Sequence, residues 1–253
     1  DHLTHGRLQV GIGRGVQPPE FKSYEVDMSA SREMFQESYE MLKQVWTDTN
    51  ATTAGKYWSY RDAKLMPPVK QTPYPPLWFT GISRESAEWA AAEGLPLASA
   101  FLGPDEIEEM GVIYREQYQP SEQWPEPYFC VMRHVYVSDT FETAKAEVGE
   151  IYDRLFAHWL NVALTSQAHV PDSYKAYPER HARLGAMNLQ ELLREGMILF
   201  GGPDEVAAGV EDLRQRGTDC LILWVSPAGI PADRSQKCLS KFASGVMPRF
   251  TSA

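Results

Sequence analysis

Leu3-Thr-His-Gly-Arg-Leu-Gln-Val-Gly-Ile-Gly-Arg-Gly-Val-Gln-Pro-Pro-Glu-Phe21 is the stretch on which the reading of this chain turns. Leu8, Val10 and Ile12 alternate with small or polar residues, the pattern of a pleated, buried strand. Gly11, Gly13 and Gly15 remove side chains where that strand ends, so a ligand can approach the backbone. Arg14 places a permanent planar cation in the gap, and a guanidinium matches phosphate oxygens. Pro18 and Pro19 are expected to stop any regular element. The plain alternative for the glycines is a tight turn. A dinucleotide fingerprint is disfavoured, because it opens directly into a helix and here two prolines intervene.

A second strand exit carries the same chemistry. Leu77-Trp-Phe-Thr-Gly81 reads as a short buried strand, and Ile82 to Gly94 follows as loop and helix. Ser83 is placed to cap that helix, with Ser86 in its first turn and Gly94 as its stop. Free backbone N–H groups and the helix dipole favour an anion there, although a serine cap without a ligand is equally common. In a parallel barrel both exits fall on the C-terminal face.

The remaining pattern alternates strands with helices, which implies a parallel α/β sheet. An amphipathic helix, capped by Ser31, is expected from Ser31 to Trp46. Residues 48–76 form a long connection with a hairpin arm at Gly55–Tyr60 and a proline-rich tail. Strands are predicted at Leu95–Ala100, Tyr128–Val137 and Thr218–Ser226, the last of them buried. Helices are predicted from Gly103-Pro104 to about Tyr118, from Thr140 to about Thr165, from Asp204, and from Asp233 to Val246. The helix after Thr140 carries Val148, Ile151, Tyr152, Leu155, Phe156 and Trp159 along one side. Met197–Phe200 is too short to count as a firm strand. His134 reads as a satisfied histidine in a packed strand, with proton transfer as the alternative; His158 and His169 read as non-ligands. Val170–Asn188 is a polar, tyrosine-bearing connection suited to a lid. Tyr57, Trp58, Tyr60, Tyr174 and Tyr177 point to an aromatic-lined pocket.

Composition sets limits. The chain has 253 residues, 43% hydrophobic and 23% charged, ordinary for a globular protein with one sizeable core. A net charge of -10 argues against a nucleic-acid or anionic-membrane binder. Three widely spaced cysteines form neither a metal pattern nor a disulfide framework, which fits a reducing cytoplasm. No apolar run approaches the roughly 20 residues that span a bilayer.

His5-Gly-Arg-Leu-Gln-Val-Gly-Ile-Gly-Arg-Gly15 with Glu20-Phe21 resembles the fourth-strand signature of the bacterial luciferase-like flavin monooxygenases. Pro75–Gly94 resembles the fifth strand and its phosphate-binding turn. Phe200-Gly-Gly-Pro-Asp-Glu-Val206 resembles the family's Gly-x-Pro-x-x-Val helix start, and Ser244-Gly-Val-Met-Pro-Arg249 its C-terminal ending. The resemblance implies a single domain over residues 1–253: a (β/α)8 TIM barrel from strand four onward, lacking the first three strands, with insertions at about 48–76 and 166–196. Five barrel strands are counted, and an open sheet of that size predicts exposed edges and association, as a homodimer. The resemblance further implies FMN as cofactor, or the deazaflavin F420 in some branches. It places the phosphate on Arg14, Ser83 and Ser86, and the ring and ribityl chain near Gly13, Gly15, Val16, Gly81 and Ile82. Reduced flavin from a separate flavin reductase and dioxygen would then oxygenate a small organic substrate. The catalytic histidine of many members lies in the family's N-terminal third, so no catalytic residue is assigned here. An F420-dependent oxidoreductase and a flavin-binding or assembly protein without turnover are the alternatives.

Overall fold

The computed structural model describes residues 1–166, 170–174, 176–227 and 229–251. These fall into two compact units, residues 1–80 with 170–174, and residues 81–166 with 176–251.

The first unit is built on two parallel strands, β1 (Val10–Ile12) and β4 (Leu77–Thr80), in the register Val10↔Leu77, Gly11↔Trp78 and Ile12↔Phe79. Leu77 and Phe79 are buried and point to one face, as the period of two requires. β1 itself is only half-buried, contrary to expectation, because β4 is its single strand neighbour among the described residues. Pro18 and Pro19 do not stop regular structure. They start the short helix α1 (Pro18–Ser23), where proline costs no hydrogen bond because the first-turn N–H groups have no helical partner. Helix α2 (Ser31–Thr47) follows, but Ser31 does not cap it. The preceding 3-10 turn Met28–Ala30 starts the segment, capped by Asp27, whose carboxylate accepts from the Ser29 N–H.

The hairpin arm is real: β2 (Ala51–Ala54) and β3 (Ser59–Ala63) pair antiparallel. Glu37 of α2 holds its turn, accepting the backbone N–H groups of Lys56, Tyr57 and Trp58 at 2.9, 3.0 and 2.7 Å. The Tyr57 hydroxyl donates to Glu33 and the Tyr60 hydroxyl to Gln44. These two tyrosines therefore tie the hairpin to α2, and Tyr57 with Trp58 also lines a surface cavity beside Glu33, Met34 and Lys56.

The second unit is organised on β6 (Phe129–Val137), a nine-residue strand buried along almost its whole length, as a parallel strand covered on both faces should be. β5 (Leu97–Ala100) pairs with residues 129–132 of β6. β7 (Ile198–Gly201) pairs with residues 134–137, and β8 (Cys220–Trp224) with residues 130–134. His134 has partners in both β7 and β8, so these two lie on opposite edges, and β5 and β7 share one edge. All four strands are parallel. The short run at Met197–Phe200 thus contributes a strand, paired alongside the C-terminal half of β6. β8, expected to be buried, is half-exposed, with Ile222 42% exposed, because among the described residues it pairs on one edge only.

The helices of this unit are α3 (Arg84–Ala92), α4 (Pro104–Gln117), α5 (Phe141–Ser166), α6 (Ala176–Gly185), α7 (Leu189–Arg194), α8 (Pro203–Gln215) and α9 (Ala232–Lys241). The tetrapeptide Gly-Pro-Asp-Glu starts both α4 and α8, and in each the glutamate reaches back to the glycine N–H, Glu106 to Gly103 at 2.7 Å and Glu205 to Gly202 at 2.8 Å. The connection at Val170–Asn188 is not irregular, since it contains α6, and α7 was not anticipated. The side chain of Trp159, and His169 altogether, lie outside the described residues. No helix among the described residues is long and apolar enough to cross a membrane.

Candidate functional site

Each unit presents one of the two strand exits. In the first, the backbone leaves β1 with Gly13 and Gly15 exposed and Arg14 and Val16 half-buried. A Cβ on Gly13 would collide with the Thr80 hydroxyl, which donates to the Ile12 carbonyl, so the close approach of the two strand ends requires glycine. Gly15 adopts φ +78°, a conformation that favours glycine. Its carbonyl accepts from the hydroxyl of Tyr174 at 3.2 Å. Tyr174 is 4% exposed, its hydroxyl also bonds the Ser31 hydroxyl at 2.8 Å, and Phe21 packs edge-on against its ring. The Arg14 guanidinium lies 4.8 Å from the centre of that ring. A buried aromatic ring, anchored by two hydrogen bonds, thus orients the cation beside a bare backbone.

In the second unit, Gly81, Ile82, Ser83 and Ser86 form the turn that opens α3. The Ser83 hydroxyl accepts from the Ser86 N–H at 3.3 Å, the cap expected from sequence. The turn is held from behind. Ser99 of β5 donates to the Gly81 carbonyl at 2.5 Å, and Arg180 of α6 donates to the Ile82 carbonyl at 3.4 Å. Arg180 also pairs with Glu106 at 2.6 Å. Burial pushes the Glu106 carboxyl up, but the Gly103 N–H and the Arg180 and Arg183 guanidiniums outweigh it, and the net shift is downward.

A lowered carboxyl contributes stability above its unfolded pKa and loses it as pH falls through the folded one. Glu106→Gln is therefore expected to cost about 1–2 kcal/mol at neutral pH, after allowing for solvent screening of a partly exposed pair. The gap to wild type should close below about pH 4. Urea unfolding at several pH values measures this, and a gap that does not change with pH would count against it.

A third feature of the second unit was not foreseen. Phe101, directly after β5, holds φ +61°, a strained conformation for a bulky residue. Its ring meets His181 at 5.2 Å and Trp224, the last residue of β8, at 6.5 Å. Trp224 stacks on His134 at 4.4 Å. These rings form an apolar wall at the C-terminal ends of β5 and β8. Tyr177 packs on His181 at 4.1 Å. His134 is enclosed by Trp224, Tyr152 and Phe156, the packed environment anticipated from its strand. Among the described residues no group of three metal-ligating side chains comes together.

Sequence reading named Arg14 but not its support. Tyr174 and Ser31 are far from Arg14 in the chain, and no local pattern links them. Arg180 and Ser99 are equally remote from the turn they hold. Glu106 alone had a local signal, three residues after Gly103.

Parallel β-strands followed by helices, with glycine at both strand exits and a positioned cation at one of them, define an α/β protein of the parallel-sheet class. Comparison with known proteins gives the family. The family model described as luciferase-like monooxygenase matches residues 1–220, and the chain belongs to that family. It is 34% identical over 98% of its length to an uncharacterised protein, y4wF, of Sinorhizobium fredii, covering 70% of that protein. It is 23% identical over 99% of its length to the oxygenase component of the flavin-dependent trigonelline monooxygenase of Acinetobacter baylyi, again covering 70% of it. Among solved structures, the oxygenating constituent of 3,6-diketocamphane monooxygenase from Pseudomonas putida, in complex with FMN, superposes with a TM-score of 0.75 at 19% identity, covering 99% of this chain and 73% of that one. An F420-dependent secondary alcohol dehydrogenase superposes with a TM-score of 0.73 at 15% identity, covering 99% of this chain and 72% of that one, so the fold is shared across both cofactor types.

Proposed function

We propose that this chain is the oxygenase component of a two-component flavin monooxygenase, taking reduced FMN from a separate flavin reductase and using dioxygen to oxygenate a small organic substrate. The observation that carries the reading is Arg14, held over the Tyr174 ring beside the exposed backbone of Gly13 and Gly15. A guanidinium fixed next to bare backbone suits a phosphomonoester better than a neutral ligand. The trigonelline and diketocamphane relatives, both named as oxygenase constituents, support the reaction class.

In this reading Arg14 pairs with the FMN phosphate. Ser83 and Ser86 offer hydroxyl and N–H groups suited to an anion. Gly13, Gly15, Val16, Gly81 and Ile82 leave room for the ring and ribityl chain. Reduced FMN, when bound, supplies the electrons that activate dioxygen. The Phe101–Trp224 wall offers apolar surface to a substrate, and its rings bring no exposed charge. Among the described residues β1 and β8 each pair on one edge, which favours association into a homodimer.

Fluorescence titration with oxidised FMN, followed by turnover with a flavin reductase, NADH and isotopically labelled dioxygen over a panel of small organic substrates, tests the proposal. Saturable binding and label in the product are expected. Binding of F420 in place of FMN would make the chain a deazaflavin oxidoreductase. Flavin binding without oxygen incorporation would make it a flavin carrier or assembly protein.

A further inference from the structure

The three cysteines have no part in the proposed flavin chemistry, yet two of them meet. Cys130, the second residue of β6, is in register with Cys220, the first residue of β8. Register partners in a parallel ladder project from the same face, about 4.8 Å apart at Cα, within the range a disulfide spans. Both sit at the N-terminal ends of their strands, the opposite end from Trp224. Tyr128 lies two residues before Cys130, at the same end of β6.

We propose that Cys130 and Cys220 form a peroxide-sensitive dithiol that closes reversibly to a disulfide between β6 and β8.

Chemistry and access divide the roles. The adjacent Cys130 thiol favours the Cys220 thiolate, and with a smaller contribution from the Tyr128 hydroxyl this outweighs burial and the nearby Asp219 charge, so the Cys220 thiol is shifted downward. Cys130 is raised by the same pairing and by burial. Asp219 does not stand uncompensated, since its carboxylate accepts from Arg115 at 2.7 Å and from the Phe129 N–H at 2.8 Å. Cys220 is half-buried and open to a small oxidant, whereas Cys130 is fully buried and lies beside Cys220 in register. The Cys220 thiolate attacks one peroxide oxygen, the O–O bond breaks, and hydroxide leaves to be protonated to water. Cys130 then attacks the sulfenic sulfur, the S–S bond forms, and the S–O bond breaks with loss of a second water. Two thiols are oxidised and one peroxide is reduced to two waters. Cys238 is the internal control: buried in α9, it bonds the backbone of β6 through the Val137 N–H at 3.2 Å and takes no part.

The test is peptide mapping of the folded chain after hydrogen peroxide treatment and alkylation of the remaining thiols. A Cys130–Cys220 linked peptide, loss of two hydrogens from the intact mass, an alkylated Cys238 and full reversal by dithiothreitol are expected. Cys130→Ser should stop at a dimedone-trapped sulfenic acid on Cys220. The mapping of the unaltered chain stands even if that variant does not fold. Cys220 carried on to sulfinic acid with Cys130 still alkylated, or a link that includes Cys238, would overturn the proposal.

Discussion

Replacing Arg14 by alanine is expected to weaken FMN binding by roughly tenfold to a hundredfold, because charge-assisted hydrogen bonds are each worth about 1.5–3 kcal/mol. The fold should barely change. Arg14 is half-buried, and its contact with the Tyr174 ring is worth at most about 1 kcal/mol at such a site. Arg14→Lys should fall between the two, since a point charge cannot match two phosphate oxygens as a planar fork does. Tyr174→Phe keeps the ring under the guanidinium but removes the hydroxyl that bonds Ser31 and the Gly15 carbonyl. Its effect should appear mainly in stability, about 1 kcal/mol, with a smaller loss of affinity. Flavin fluorescence titration of the three variants, with thermal unfolding alongside, separates these effects. Unchanged FMN affinity in Arg14→Ala would remove the basis of the proposed function.

The second large effect is a loss of stability on mild acidification. His134 is 3% exposed and enclosed by Trp224, Tyr152 and Phe156. Burial, and then the neighbouring Arg133 charge, lower its pKa from 6.5 to about 4. Between those values the unfolded chain binds a proton at this residue that the folded chain does not, so stability falls as pH falls through the window. The loss from this group should reach roughly 2 kcal/mol by pH 5. His181 is lowered too, mainly by burial, and adds in the same direction. His134→Phe preserves an aromatic ring against Trp224 while removing the titration, so urea unfolding at pH 7 and pH 5 should show a shallower decline in the variant. An equal decline in both proteins would mean that His134 is not the group responsible.

Local chemistry made much of the chain legible. The strands β4 and β6, the Ser83 cap of α3, the glycine-proline starts of α4 and α8, and a hairpin arm about Gly55–Tyr60 follow from short-range rules and are present in the structure. The family was also legible, because its motifs are short, contiguous and ordered along the chain. What failed depended on partners remote in sequence. Pro18-Pro19 stops a helix interior but suits a helix start, and only the backbone before it decides which applies. Ser31 is spent on Tyr174 instead of a cap. The burial of β1 and β8 depends on how many edges are paired, a property of the sheet and not of the strand.

The same division holds at the candidate site. The sequence by itself determined which residue types stand at the two strand exits, because glycine, arginine and capping serine act through backbone geometry and charge that each carries alone. Only the tertiary structure decided that Arg14 rests on Tyr174, that Arg180 and Ser99 hold the Gly81-Ile82 turn, and that Cys130 faces Cys220. Those pairings join residues from about 20 to 160 positions apart, and contact between such residues is set by packing and strand register, which no local pattern encodes.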